Sequence, residues 1–275
     1  MRIDAHQHFW IYNRERDAWI TDDMQAIQRN FLPVDLSPLL KENLIDGAVA
    51  VQATQSLEET QFLVDLASMY ALIKAVVGWV DLQADDIVEQ LEKLSQFPII
   101  KGFRHVVQGE EDPDFLMRPA FQRGIAALGK HQFTYDLLIH PRHYASTLAC
   151  VKQFPAQRFV LDHMAKPNIR AKEFDEWAAF IQALAAYPNV YCKVSGLVTE
   201  ADWLNWKIDD FQPYIQHVVT CFGKDRVMFG TDWPVCLVAA SYADVMGVAA
   251  HSLTDFTEAE RAAFWGGNAQ QFYNF

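Results

Sequence analysis

The chain has 275 residues, a length that fits one large α/β barrel or two ordinary domains. It is 51% hydrophobic and 13% aromatic, enough for a sizeable core and wrong for a disordered chain. A net charge of −12 speaks against general phosphate-backbone binding, so no nucleic acid is expected as a partner.

The first element, Arg2–His6, is a β-rich run that reaches His6 directly after Met1-Arg2-Ile3-Asp4-Ala5. That leaves no room for an apolar signal segment, and no later apolar run approaches the roughly 18 residues needed to cross a bilayer. A cytoplasmic protein with no membrane partner is expected. Further short apolar runs follow at Gly47–Gln52, Lys74–Val80, Ile99–Phe103, Thr134–Ile139, Arg158–Leu161, Val190–Val194 and Val227–Gly230. Between them lie helix-length amphipathic segments. In Leu57–Tyr70, the residues Phe62, Leu63, Leu66, Ala67 and Tyr70 share one face behind a capping-box pair, Ser56 and Glu59. Thr257 and Glu260 form a second such pair. Strand and helix alternate eight times without a linker, which predicts one domain over residues 1–275, a (β/α)8 TIM barrel.

The connections are lopsided. Turns into strands are short, as at Phe97-Pro98 and Tyr187-Pro188-Asn189, whereas segments leaving strands are long: Trp10–Asp35, His105–Arg118 and Ser195–Phe211. Long loops are functional more often than ornamental, and these all belong to the rim where barrel enzymes place their chemistry. The four cysteines, Cys150, Cys192, Cys221 and Cys236, form no CxxC pair and are expected to be reduced core thiols.

His6 and His8 stand two apart on a strand and so share a face. Nine histidines in 275 residues give about 0.3 such spacings by chance, so the pair alone is weak. Ile3 and Ala5 suit the helix layer, which would turn Asp4, His6 and His8 inward. Two other strand ends add weight: His163 follows Phe159-Val160-Leu161-Asp162, and Asp232 follows Val227-Met228-Phe229-Gly230-Thr231. Strand eight closes beside strand one, so Asp232 is expected next to His6 and His8. A carboxylate among imidazoles can hold and activate water, with or without a metal. Arg104 ends strand four, and its facing is ambiguous: it can point inward only if the strand is kinked near Gly102 or Lys101 points to the helix layer. Turned inward, Arg104 could polarise a carbonyl. Trp10, Trp79, Trp203, Trp206 and Trp233 sit at the same rim and are candidates for a substrate-binding wall, since their rings suit the C–H faces of sugars.

Asp4-Ala5-His6-Gln7-His8-Phe9-Trp10, Leu161-Asp162-His163-Met164-Ala165-Lys166-Pro167, Tyr191-Cys192-Lys193-Val194-Ser195-Gly196-Leu197 and Phe229-Gly230-Thr231-Asp232-Trp233-Pro234 together resemble the amidohydrolase superfamily. The branch they look like contains sugar lactonases of the L-fuconolactonase and L-rhamnonolactonase type and 2-pyrone-4,6-dicarboxylate lactonase. The resemblance runs essentially from strand one to Gly267-Asn268-Ala269. It implies a hydrolase that opens a cyclic ester, with Asp232 as general base and His6, His8 and His163 around the attacking water and carbonyl. No lysine stands at the end of strand four, which argues against a two-metal site bridged by a carboxylated lysine. The expected cofactor is therefore none, or one divalent ion such as zinc held by His6, His8, His163 and Asp232.

The sequence reading is thus hydrolysis of a small-molecule substrate, a sugar aldonolactone similar to L-fuconolactone, by an enzyme compatible with homo-oligomer formation. A dicarboxylate lactone would need several convergent arginines, and only Arg104, Arg118, Arg142 and Arg170 are loosely placed for it. The alternatives are a metal-dependent decarboxylase or amide hydrolase on the same barrel, and a sugar-binding barrel without turnover.

Overall fold

A computed structural model describes all 275 residues. Eight parallel strands form a single sheet in sequence order: β1 (Ile3–Gln7), β2 (Gly47–Val51), β3 (Ile73–Gly78), β4 (Ile100–His105), β5 (Thr134–Leu137), β6 (Phe159–Leu161), β7 (Val190–Val194) and β8 (Val227–Phe229). Each coincides with an expected run to within two residues or so. The main helices are α1 (Pro33–Glu42), α2 (Leu57–Met69), α3 (Ile87–Leu94), α4 (Pro119–Lys130), α5 (Tyr144–Gln153), α6 (Asp175–Ala185), α7 (Ile208–Phe222), α8 (Tyr242–His251), α9 (Glu258–Ala262) and α10 (Asn268–Tyr273). The first eight follow the strands one for one, so the protein is a single-domain (β/α)8 TIM barrel. No helix is long and apolar enough to cross a membrane.

Local signals start the helices where the sequence places them. Ser56 accepts the Glu59 amide at the head of α2, although the Glu59 carboxylate turns away to the Ala53 and Thr54 amides. At α9 the pair closes fully: the Thr257 hydroxyl accepts the Glu260 amide and the Glu260 carboxylate accepts the Thr257 amide. The four cysteines are unpaired thiols.

The barrel closes where β8 meets β1. Gln7 bridges Trp233 in parallel fashion, the Asp232 amide donates to the His6 carbonyl (2.8 Å), and the His8 amide donates to the Trp233 carbonyl (2.7 Å). A Cβ at Gly230 would lie 2.8 Å from the His6 Cβ, so only glycine permits this approach. Asp4 adds a side-chain clasp, accepting from the Thr231 amide (2.9 Å) and hydroxyl and from the Tyr242 hydroxyl of α8 (3.1 Å).

That clasp corrects the expected facing of β1. Ile3 and Ala5 pack with Val49, Val51, Val77, Val160 and Met228, a cluster inside the barrel, whereas Asp4 reaches out to α8. The pairing register of β1 shifts between Asp4 and Gln7. This irregularity carries His6 to the interior despite its even spacing from Asp4. A similar shift in β4 opposite Val76 and Val77 separates Lys101 from Gly102, and Arg104 beyond it points inward. At the opposite end α10 plugs the barrel: Phe272 and Tyr273 join the interior cluster, and Arg158 donates to the Phe272 carbonyl (2.8 Å).

Candidate active site

The groups at the mouth are set by backbone. His8 Nδ1 lies 2.7 Å from the Val51 carbonyl of β2, and its Nε2 is 3.2 Å from His6 Nε2. Asp232 has φ +61°, a left-handed conformation that directs its side chain back over β1. Its Oδ1 is 3.3 Å from His8 Nε2, 3.8 Å from His6 Nε2 and 3.9 Å from His163 Nε2. His163 opens a run of four left-handed residues with Met164, Ala165 and Lys166, none of them glycine. Such strain clusters at functional sites because the surrounding structure over-determines it. The Ser195 hydroxyl sits 3.0 Å from His163 Nδ1, and Gly196 (φ +64°) lies flat against the ring: a Cβ there would come within 2.5 Å of Nδ1.

Burial pushes His6 well below the usual imidazole range, against the pull of Asp162, and takes His163 down to about 4 in spite of Asp232. Burial alone would raise the Asp232 carboxyl, but His163, His8 and His6 outweigh it and hold it well below the usual carboxylate range. At neutral pH an ionised carboxylate therefore faces the neutral imidazoles of His6 and His163.

A cavity of about 720 Å³ opens above this set, with His8, Arg104, His163 and Asp232 in its floor. Arg16, Trp19 and Met24 from the first long loop form one wall, and Thr199, Glu200 and Trp203 from the loop after β7 form another. Gln55, Gln108, His140 and Lys166 add polar groups to the lining beside the apolar Ala53, Val106, Leu138 and Val235. Of the five tryptophans expected to read substrate, only Trp203 reaches the cavity; Trp19 of the first long loop, outside that set, reaches it too. Trp10 donates to the Arg29 carbonyl and packs on Phe31, and Trp233 is buried against Phe9 and Phe31. Trp79 faces His105, and Trp206 donates to the Ala239 carbonyl. Their indoles hold the loops rather than the cavity wall.

At and beneath the floor lies a buried charge stack, in which the sequence reading singled out His6 and Arg104 but missed Asp136, Asp162 and Lys193. Arg104 Nη1 is 3.0 Å from Asp162 Oδ2 and 3.2 Å from His6 Nε2, while Nη2 donates to the Gln52 carbonyl. Lys193 Nζ is 2.5 Å from Asp136 Oδ2, 3.0 Å from Asp162 Oδ1 and 3.1 Å from His6 Nδ1. Tyr273 donates to Asp136 from below (2.8 Å). The signal was available: Lys193 and Asp136 interrupt apolar strands at positions that alternation turns inward, where charge is tolerated only when paired.

His6, His8 and Asp232 present ligand atoms within 4.8 Å of one another, as do His6, Asp162 and His163. Two imidazoles and a carboxylate are ordinary zinc donors, so the first group fits a divalent ion. His163, expected as a fourth ligand, falls in the second group instead.

An eight-stranded barrel with imidazoles on strand one, a histidine after strand six and an aspartate after strand eight has the layout of an amidohydrolase. The sequence matches the amidohydrolase family over residues 3–275, and the chain belongs to that family of hydrolases. It is similar to L-fucono-1,5-lactonase of Burkholderia multivorans, 39% identical over 99% of this chain and 96% of that protein. L-fucono-1,5-lactonase of Burkholderia ambifaria is 37% identical over 99% and 95%. The crystal structure of an amidohydrolase from B. multivorans with bound zinc superposes with a TM-score of 0.96 at 39% identity, covering 100% of this chain and 99% of that one.

Proposed function

We propose that the protein hydrolyses a sugar aldonolactone, of the class to which L-fucono-1,5-lactone belongs. The observation that carries this is the Asp232 carboxyl group set among His6, His8 and His163 at the floor of a cavity of about 720 Å³. Asp232 takes a proton from water as the water oxygen bonds to the lactone carbonyl carbon. The carbonyl electrons move onto oxygen, where the Arg104 guanidinium in the floor stabilises the negative charge. Collapse breaks the bond to the ring oxygen, which takes the proton back from Asp232 and leaves as the free hydroxyl of an aldonic acid. A divalent ion such as zinc would be held by His6, His8 and Asp232, and when bound it would polarise the carbonyl and acidify the water.

The lining favours a neutral polyhydroxylated substrate. Arg16 is tied to Asp17, and Lys166 lies 3.5 Å from Glu200. Arg118 pairs with Asp112, and Arg142 donates to the Gln108 and Glu110 carbonyls. The convergent free cations that a dicarboxylate needs are thus not assembled. Glutamine, threonine and carboxylate groups remain for hydroxyls, with Trp19 and Trp203 for the ring faces. Each ring opening releases a proton, so a panel of five- and six-membered aldonolactones read with a pH indicator tests the assignment. Turnover of a six-membered deoxysugar lactone above the spontaneous rate is expected; no turnover across the panel overturns it.

A further inference from the structure

We propose, resting on the lactonase reading and deepening it, that Glu200 is a specificity-determining residue: its carboxylate accepts hydrogen bonds from hydroxyl groups on the lactone ring.

The cavity contains two carboxylates, Asp232 in the floor and Glu200 in the wall. Glu200 ends a short 3-10 turn, Val198–Glu200, in the loop after β7. Its backbone is fixed on both sides. The amide donates to the Leu197 carbonyl (3.1 Å), and the carbonyl accepts from the Arg170 amide (3.0 Å). The side chain is held more loosely: Lys166 Nζ lies 3.5 Å from Oε1, and no protein donor reaches Oε2. With 23% of the side chain exposed, the carboxylate is mostly withdrawn from water yet open to the cavity. Burial raises its carboxyl above the usual range, and Lys166 works against that. An anion so placed gains more from a hydroxyl donor than one in bulk water, because excluding water strengthens hydrogen bonds to charge.

Several other polar groups of the wall are already engaged. Arg16 donates to both oxygens of Asp17, the Gln55 side-chain carbonyl accepts the Val106 amide (2.7 Å), and the Thr199 hydroxyl donates to the Gly196 carbonyl (2.7 Å). Glu200 keeps free acceptor capacity. Lys166 is fixed beside it by left-handed backbone (φ +51°) and by the bond from its amide to the His163 carbonyl (2.8 Å).

Trp203 supplies the other half of a sugar site. Its indole donates to the Thr199 carbonyl (2.9 Å), which pins the ring to the loop that carries Glu200. The aromatic face suits the C–H bonds of a sugar ring, and the carboxylate suits its hydroxyls. Such a wall rejects two kinds of lactone. A ring lacking the matching hydroxyl leaves the carboxylate desolvated and unpaired, and a ring with a carboxylate in that place meets like charge.

A cycle between protein and substrate tests this. kcat/KM is measured for wild type and Glu200→Gln on the best six-membered aldonolactone and on its counterparts that each lack one hydroxyl, corrected for spontaneous opening. At one ring position or more, loss of the hydroxyl should lower wild-type kcat/KM by at least about tenfold and that of Glu200→Gln by less than about threefold. On the parent lactone Glu200→Gln itself should fall at least about tenfold below wild type. Equal losses for the two proteins at every position, or an undiminished rate of Glu200→Gln on the parent, overturn the proposal and leave the lactonase reading intact. Failure of wild type to open any lactone overturns both. Should Glu200→Gln not fold, Glu200→Asp keeps the charge on a shorter stem and should show the same loss of discrimination at that position; full wild-type discrimination there overturns the proposal.

Discussion

The backbone amide of Asp232 donates to the carbonyl of His6 at 2.8 Å, so the candidate base is stitched to the strand that carries two of its imidazole neighbours. Closing the barrel and assembling the site are therefore one event. Asp232→Asn should leave this bond, the fold and the cavity intact, because the amide is nearly isosteric and the stitch is backbone. It cannot take a proton from water, so kcat should fall by the ~10²–10⁴-fold typical of lost general-base catalysis, with KM little changed. Steady-state rates on the best lactone, corrected for spontaneous opening, check this. Retention of more than about a tenth of wild-type kcat would remove Asp232 from the role.

Gly196 should be intolerant of the smallest change. An alanine Cβ would stand 2.5 Å from His163 Nδ1 at φ +64°, so both the ring and the turn must shift. Gly196→Ala is expected to cost about 1–3 kcal/mol of stability and to lower kcat through the displaced His163. Chemical denaturation and kinetics on one preparation measure both; wild-type values for both would contradict the packing described here.

The two tryptophans of the loop after β7 should separate. Trp203 lines the cavity, whereas the Trp206 indole donates to the Ala239 carbonyl and packs on Phe211. Trp203→Ala should reorder preference among lactones and raise KM for the best one by roughly tenfold, as expected for a lost aromatic wall. Trp206→Ala should leave the order unchanged and lower stability by about 1–3 kcal/mol. The same preference order for wild type and Trp203→Ala would show that this wall does not read the substrate.

His140 gives a pH test away from the candidate metal ligands. Burial, then the charges of Lys166, Arg142 and the neighbouring His143, lowers it to about 4. In the unfolded chain a histidine titrates near 6.5. Between those values the unfolded state takes up a proton that the folded state refuses, so this group's contribution is intact above about 6.5 and is lost as pH falls toward 4. Thermal unfolding of His140→Gln should accordingly lose less Tm than wild type between pH 7 and pH 5. An equal or larger loss would mean that His140 is not held neutral in the fold.

All eight strands were legible because each is a run of apolar residues bounded by turn signals, and the rim was legible because its loops are long. The floor was legible because His6, His8, His163 and Asp232 stand at strand ends, where titratable groups are conspicuous. Facing was not. Period-two alternation placed Asp4 and His6 on one face, and only the register shift between Asp4 and Gln7 separates them. Nothing in the residue types of β1 announces that shift. Arg104 was ambiguous for the same reason, since its facing depends on an irregularity at Lys101 and Gly102. Rim tryptophans were over-read because an indole hydrogen-bonded to a loop carbonyl and one facing a cavity have the same sequence signature. Lys193 and Asp136 could have been found by asking which charges an apolar strand turns inward.

The contact sequence Tyr273, Asp136, Lys193, His6 spans the barrel from its plugged end to its mouth. Its first and last members come from opposite ends of the barrel's strand-and-helix series, so His6 acquires its full electrostatic surroundings only when α10 has docked. Without that helix Lys193 and Asp136 lack their hydroxyl partner and the lower opening of the barrel lacks its plug. A single helical turn on the far side of the molecule thus helps set the field in which the mouth works.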